Sequence, residues 1–472
     1  MRLFRSPRYN MVLHFALLVA LNGLLLATAA AAPDTFNIRR VVPQRSIDIQ
    51  NAQIIPQASF VSSFSSKVPR RAAKKRALLE LRRSASKTST IIGTDDNEEY
   101  ATSITVGGQN FEVIDDTGSS DLFLPQVGFQ CFSLSDASVP EADCFFCTAG
   151  FDPAKSRTFK PFNNMNFNIT FADQEFLTGG VGFDTVSIGG LSVAQQEFGV
   201  VTKAAWNGDG VTSGLVGFAF PGLTSVFNGS NPDLDVPGGQ VVYQPFFFKA
   251  VEDELVQPFF SVTLDRGSVA ARTNSTLDPH LGFLALGGIP PVAVTGTSAT
   301  VPIQGFSISS GASELFFYDV DVDKYTFPGS AGINLTGSSA ILDTGTTLNL
   351  LPTPVANAYN AAFDPPGQLD PGSGLFLVDC SLLTKATNGN SKGIPPFSVV
   401  IGGKVFQVDG RDNVLPAGTD ENGNEVCISG VQDGGPAEDG NIFILGDVFL
   451  HNVVSTFDVQ RETITLHERA KY

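Results

Sequence analysis

The feature that most constrains the fold is a motif that occurs twice. Val113 to Pro125 reads VIDDTGSSDLFLP and Ala340 to Pro352 reads AILDTGTTLNLLP: an apolar lead-in, Asp-Thr-Gly, two hydroxyl residues, and a tail ending in Leu-Pro. The copies lie 227 residues apart, about half of the 472-residue chain. Each is followed by an apolar stretch interrupted by glycine, SGLVGFAF from Ser213 and IFILGDVFL from Ile442. A duplication on this scale predicts two similar lobes related by a pseudo-two-fold axis. If that axis brings the loops together, Asp116 and Asp343 face each other at the seam.

The sequence around the motifs reads as strands. Short apolar alternation is broken by Gly-containing turns, the pattern of β-hairpins. Four segments, SITVGGQNFEV, VSIGGLSVAQQEF, FLALGGIPPV and SVVIGGKVFQV, set Gly-Gly between two apolar runs and are each expected to turn there. The 47 Gly and 28 Pro are spread without a collagen-like period, so an all-β architecture is expected. Helices are expected only near Phe246 to Val256 and Thr353 to Phe363, the second with Thr353 as N-cap before a first-turn proline. With 42% hydrophobic residues and 39 Phe, the chain can fill a large core and more than one domain.

Residues 1–32 carry the parts of a secretory signal peptide: Arg2, Arg5 and Arg8, an apolar run from about Met11 to Leu26, then ATAAAAP. The run is shorter than the ~20 residues of a spanning helix, so a secreted, extracellular protein without a stable membrane anchor is expected. Residues 1–87 hold 15 Lys+Arg and 3 Asp+Glu, leaving 15 basic and 44 acidic residues beyond, a balance of −29. The basic run from Lys67 to Lys87 therefore reads as part of a removable prosegment, residues 33–92, that neutralises an acidic body. Lys75-Arg76 and Arg82-Arg83 offer processing sites, placing the mature start between about Ser84 and Thr94. Export argues against nucleic acid as a partner. It also favours disulfides among the five cysteines: Cys380 with Cys427, and Cys131 with Cys144, with Cys147 as the alternative partner in the second pair. Glycosylation sequons stand at Asn168, Asn228, Asn274 and Asn334.

Paired Asp-Thr-Gly loops have a chemical use. Glycine lets backbone amides approach a carboxylate, and the Thr and Ser hydroxyls can bond across or into the loop. Two facing carboxylates cannot both ionise cheaply, so they share a proton; one is then a base toward water and the other an acid toward a carbonyl oxygen. The four histidines, His14, His280, His451 and His467, have no zinc-site spacing. No G-x-S-x-G elbow or P-loop occurs. No metal and no cofactor is expected.

From about Tyr100 to Asp458 the chain resembles the pepsin-like aspartic proteases, especially the secreted fungal ones. Both Asp-Thr-Gly loops, the elements around Gly217 and Gly446, the stretch NITFADQEFLTGG and the second-lobe cysteine pair carry the resemblance. It implies a two-lobed pepsin-like fold with a central substrate cleft, an N-terminal β lobe over 93–290 and a C-terminal one over 291–472. Asp116 and Asp343 would be catalytic. Thr117, Gly118 and Ser119, with Thr344, Gly345 and Thr346, would support them, and Phe171, Ala172 and Asp173 would form the substrate-binding flap, with Phe123 beside it. A monomer acting on proteins or peptides at acidic pH is implied, made as a zymogen. The chain departs from the family at Phe171 and Phe123, where a hydrogen-bonded Tyr and Trp are usual. Replacing both partners removes donor and acceptor together, which predicts an apolar flap contact. Asp115, whose counterpart is Leu342, is expected to point into the lobe interior. A competing reading, a protease-like protein that has lost catalysis and binds peptides or carbohydrate-active enzymes, is disfavoured because both aspartates are present.

Overall fold

Paired glycines turn the strands where both turn residues need positive φ. The hairpins at Gly107-Gly108, Gly189-Gly190 and Gly402-Gly403 have φ between +55° and +88° and bring Val106 opposite Gln109, Ile188 opposite Leu191 and Ile401 opposite Lys404. The fourth expected hairpin, FLALGGIPPV, does not form. Its strand ends at Leu286 and the next begins only at Val294, pairing with Thr463–Arg469 instead. Pro290 and Pro291 lack the N–H donors that a returning strand would need.

The computed structural model describes residues 40–41, 60–64, 91–94 and 99–472, except 134–136, 145, 147–149, 172–174, 207, 209, 237, 268–280, 308–312, 332, 334–337, 421–422 and 437–440. The signal segment, the basic run from Lys67 to Lys87, Ala172, Asp173, Cys147, Asn274 and Asn334 lie outside the described residues.

The fold is all-β and two-lobed, with few helices. A ten-stranded sheet forms the first lobe. The second lobe is built on a five-stranded sheet with smaller three- and four-stranded sheets around it. A six-stranded sheet of Val294–Pro302, Thr463–Arg469, Val453–Asp458, Phe259–Leu264, Gly282–Leu286 and Phe60–Phe64 joins sequence from both halves. Its edge strand, Phe60–Phe64, comes from the basic N-terminal region and pairs antiparallel with Gly282–Leu286.

Aromatic side chains fill the junction. Phe260 packs against Phe457 at 4.8 Å, Phe247 at 4.9 Å and Phe218 at 5.2 Å, and Tyr318 closes on Phe457 at 4.5 Å. Beside them lies a buried polar chain. Tyr100 Oη bonds His451 Nε2, His451 Nδ1 meets Asp412 at 3.2 Å, and Arg266 grips Asp412 through two bonds of 2.7 Å. Burial alone would push the Asp412 carboxyl up, but Arg266 and His451 hold it below the usual carboxylate range.

The expected helices run Phe246–Glu252 and Thr353–Ala361. Thr353 is not the N-cap; Pro352 holds that position, and the Thr353 hydroxyl donates to Asp433 at 2.7 Å. Two short helices, Ser381–Thr387 and Asp447–Leu450, were not anticipated. No helix among the described residues is long and apolar enough to cross a membrane.

Candidate active site

Both Asp-Thr-Gly loops are launched from the ends of buried strands. Gln109–Asp116 ends in the first, and Leu215–Gly217 runs parallel beside it with Gly217 opposite Asp116. In the second lobe Ser339–Leu342 leads to Asp343, with Ile444–Leu445 parallel beside it. Each returning strand pairs antiparallel with the same inserted strand, Leu122–Phe132 with Leu215–Gly217 and Asn349–Leu351 with Ile444–Leu445. The duplicated glycines are required by close approach. A Cβ on Gly217 would lie 2.4 Å from Ser119 O, and one on Gly446 would lie 2.1 Å from Thr346 O.

The loops clasp each other through their threonines. Thr117 N donates to Thr344 Oγ1 and Thr344 N to Thr117 Oγ1, both at 3.0 Å. Each hydroxyl then donates onward, Thr117 Oγ1 to Leu342 O at 2.9 Å and Thr344 Oγ1 to Asp115 O at 2.7 Å. Inside the clasp the carboxylates have matching surroundings. Asp116 accepts from Gly118 N at 2.7 Å and from Ser119 Oγ; Asp343 accepts from Gly345 N at 2.9 Å and from Thr346 Oγ1. The two carboxyls are fully buried, and each acts on the protonation of the other. The backbone of Gly345 lies so close that a Cβ there would sit 2.5 Å from Asp116 Oδ1.

Their electrostatics differ. Burial raises Asp116, and this is opposed by bonds from Ser119, Gly118 and Asp343. Burial raises Asp343 further because the Asp116 charge adds to it. Two such carboxyls do not both ionise cheaply, so the pair favours holding one proton between them.

Asp115 faces the lobe interior, as strand alternation predicted. Phe111 and Val113 precede it on the same face, Val216 is its register partner, and all three apolar residues belong to the main core. Neither carboxyl oxygen has a hydrogen-bond partner among the described residues, and burial followed by the Asp116 charge pushes its pKa well up. Asp115 therefore sits in the core as a neutral acid.

Lys160–Thr170 and Phe176–Ile188 form the hairpin expected from NITFADQEFLTGG, with Phe171 N donating to Glu175 O at 2.7 Å near its end. Phe171 and Phe123 are buried in one apolar cluster. The sequence reading missed what joins them. Trp206, the only tryptophan of the chain, lies 5.5 Å from Phe171 and 6.0 Å from Phe123, ring centre to ring centre. The missing indole at 123 was a signal to look for one elsewhere. A second omission is Asp121, buried in the tail of the first loop. It accepts from Ser225 N at 3.1 Å and from Tyr243 Oη at 2.9 Å.

The disulfides Cys131–Cys144 and Cys380–Cys427 are both formed. Of the described sequons, Asn228 is exposed, whereas the half-buried Asn168 donates its amide to Pro232 O and Asp235.

Comparison with known proteins agrees with this geometry. A family model described as eukaryotic aspartyl protease matches residues 99–469. A probable aspartic-type endopeptidase of Aspergillus fumigatus is 38% identical over 366 residues, covering 76% of each chain. Penicillopepsin-1 of Penicillium janthinellum is 29% identical over 377 residues, covering 79% of this chain and 96% of its own. The crystal structure of an aspartic proteinase from Irpex lacteus superposes with a TM-score of 0.58 at 19% identity, covering 81% of this chain and 98% of its own. With paired Asp-Thr-Gly loops clasped at a lobe junction and a family match across nearly all the described chain, the protein belongs to the eukaryotic aspartyl proteases and is an aspartic-type endopeptidase.

Proposed function

We propose that the protein is a secreted acid endopeptidase, made as a zymogen, that cleaves peptide bonds with water activated between Asp116 and Asp343. The observation that carries this reading is the threonine clasp, which joins the two loops around two fully buried carboxyls. In the starting state Asp116 is ionised and Asp343 is protonated. Asp116 takes a proton from water as the water oxygen bonds to the scissile carbonyl carbon, while Asp343 gives its proton to the carbonyl oxygen. The resulting gem-diol collapses by returning a hydroxyl proton to Asp343. The C–N bond then breaks as Asp116 delivers its proton to the departing nitrogen, and both acids regain their starting states.

One ionised and one neutral carboxyl are needed, so activity declines as rising pH strips the proton from the pair. That supports an acidic optimum. Gly118, Ser119, Gly345 and Thr346 support the carboxyls, and the hairpin bearing Phe171 is the flap. The basic segment 33–92 opposes an acidic body; among the described residues it supplies edge strands, Arg40–Val41 beside Gly305–Ser307 and Phe60–Phe64 beside Gly282–Leu286, and its end begins the strand Ile91–Thr94. Protonation of body carboxylates weakens that attraction, so acid would favour release of the segment. Of the described sequons, exposed Asn228 is the better glycan acceptor.

The test is to acidify purified proprotein and follow hydrolysis of a denatured protein with and without pepstatin, beside Asp116→Asn. A loss of roughly 10²- to 10⁴-fold in the variant is expected for removal of an acid–base group. Activity indifferent to both pepstatin and the substitution would overturn the mechanism. N-terminal sequencing of the active form should find a start between about Ser84 and Thr94; a start at Ala31 or Ala32 would refute the prosegment.

A further inference from the structure

We propose that Trp206 is a positioning residue for the reaction, fixing the Phe171 end of the hairpin relative to the strand that leaves the Asp116 loop. This rests on the reading of that hairpin as the substrate-contacting flap.

Trp206 follows directly on the strand Leu191–Ala205, whose last residues pair with the start of the returning hairpin strand, Ala205 opposite Phe176 and Ala204 opposite Leu177. Phe176 in turn pairs with Thr170, the residue before Phe171. The indole is thus carried on the same backbone ladder as the hairpin, and it is only 4% exposed. Three aromatic rings from three segments converge on it. Phe171 comes from the hairpin at 5.5 Å, and Phe123 from the strand after the first catalytic loop at 6.0 Å, edge to face. Phe146 stacks on the indole at 6.0 Å with an interplanar angle of 1°. The Phe146 segment is itself anchored. Cys144 is disulfide-bonded to Cys131 on the Phe123 strand, and Gly208 N donates to Cys144 O at 3.2 Å.

A purely apolar pair of phenylalanines at 123 and 171 carries no directional bond to fix their relation. Trp206 replaces direction with shape. Its flat two-ring surface sits between an edge-on ring and a face-on ring, which restricts how Phe171 can rotate or slide without opening a gap in the cluster. Positioning residues act through geometry, and an ångström-scale misplacement costs turnover before it costs the fold.

Position 206 is also a built-in reporter, because all tryptophan emission of the chain arises there. The test uses the acid-activated enzyme and three variants: Trp206→Phe, Phe123→Trp, and the two combined, which moves the indole across the cluster at nearly constant volume. For Trp206→Phe we expect kcat on a peptide substrate to fall more than about threefold with KM changed less, and the melting temperature to stay close to the parent's. The combined variant should recover at least half of that loss on a logarithmic scale, an interaction that additive structural effects would not produce. Pepstatin binding should shift the emission of the parent. The proposal fails if Trp206→Phe loses about threefold or less, if its loss follows a lowered melting temperature, if the combined variant shows no recovery, or if pepstatin leaves the emission unchanged. These failures are distinct from failure of the protease reading, which Asp116→Asn tests in the same assay.

Discussion

Asp121 makes the stability of the first lobe depend on pH, by an amount that can be worked out. Burial pushes its carboxyl up to about 6 from an ordinary 3.8, against the opposing bonds from Ser225 and Tyr243. The residue is only 1% exposed, so solvent screening does not dilute the effect. The folded-state pKa is the higher one, so the contribution is fully present below about pH 4, where both states are protonated. It is lost as pH rises through 6, because the unfolded chain releases its proton first. A gap of about 2 pH units at 1.36 kcal/mol each is about 3 kcal/mol, or roughly 10²-fold in the unfolding equilibrium. Asp121→Asn keeps one oxygen to accept from Ser225 N–H and Tyr243 and never ionises. In an Asp116→Asn background, which prevents self-digestion, urea unfolding of both proteins should be followed by fluorescence at pH 4, 5, 6 and 7. The two should differ little at pH 4 and diverge in favour of Asp121→Asn by about 3 kcal/mol at pH 7. Asp115 and Asp343 add pH dependence to both proteins and cancel in the difference. Parallel stability curves would refute the reasoning.

Three further outcomes are expected. Asp115→Leu, which installs the residue type of Leu342, should stabilise the protein by roughly 1–3 kcal/mol at about pH 3, where the carboxyl is protonated in both states, because it removes a buried polar group without partners among the described residues, whereas Asp115→Asn, which keeps such a group, should give no such gain at that pH; urea midpoints decide it. Gly345→Ala should lower kcat at least 10²-fold with the fold retained by circular dichroism, since its Cβ would press on the Asp116 carboxyl. Arg266→Met should cost about 3–5 kcal/mol at pH 5, measured by urea unfolding, because it leaves Asp412 buried beside its other partners without its guanidinium.

The Asp-Thr-Gly loops were legible because their information is local and repeated. Asp-Thr-Gly, the two hydroxyl residues and the later glycine occur in both halves, and each copy checks the other. The inward face of Asp115 followed from strand alternation alone. What escaped was set by contacts between distant segments. Tyr243 reaches Asp121 from 122 positions away, and no motif marks it. Trp206 meets Phe123 and Phe171 only after three strands have paired, so the sequence exposed the missing polar pair without exposing its replacement. FLALGGIPPV resembled its three companions until the two prolines, whose missing amides outweighed the glycine signal.

The clasp of Thr117 and Thr344 is an interface folded into one polypeptide. Had two identical chains supplied the loops, every residue near the acids would occur twice and the proton would have no preferred side. Within a single chain the halves are free to diverge while the clasp stays symmetric. Ser119 stands against Thr346, and Asp115 stands against Leu342. The duplication thus left a symmetric clasp between two loops whose surroundings can change one at a time, so either acid can be retuned without loosening the contact that joins them.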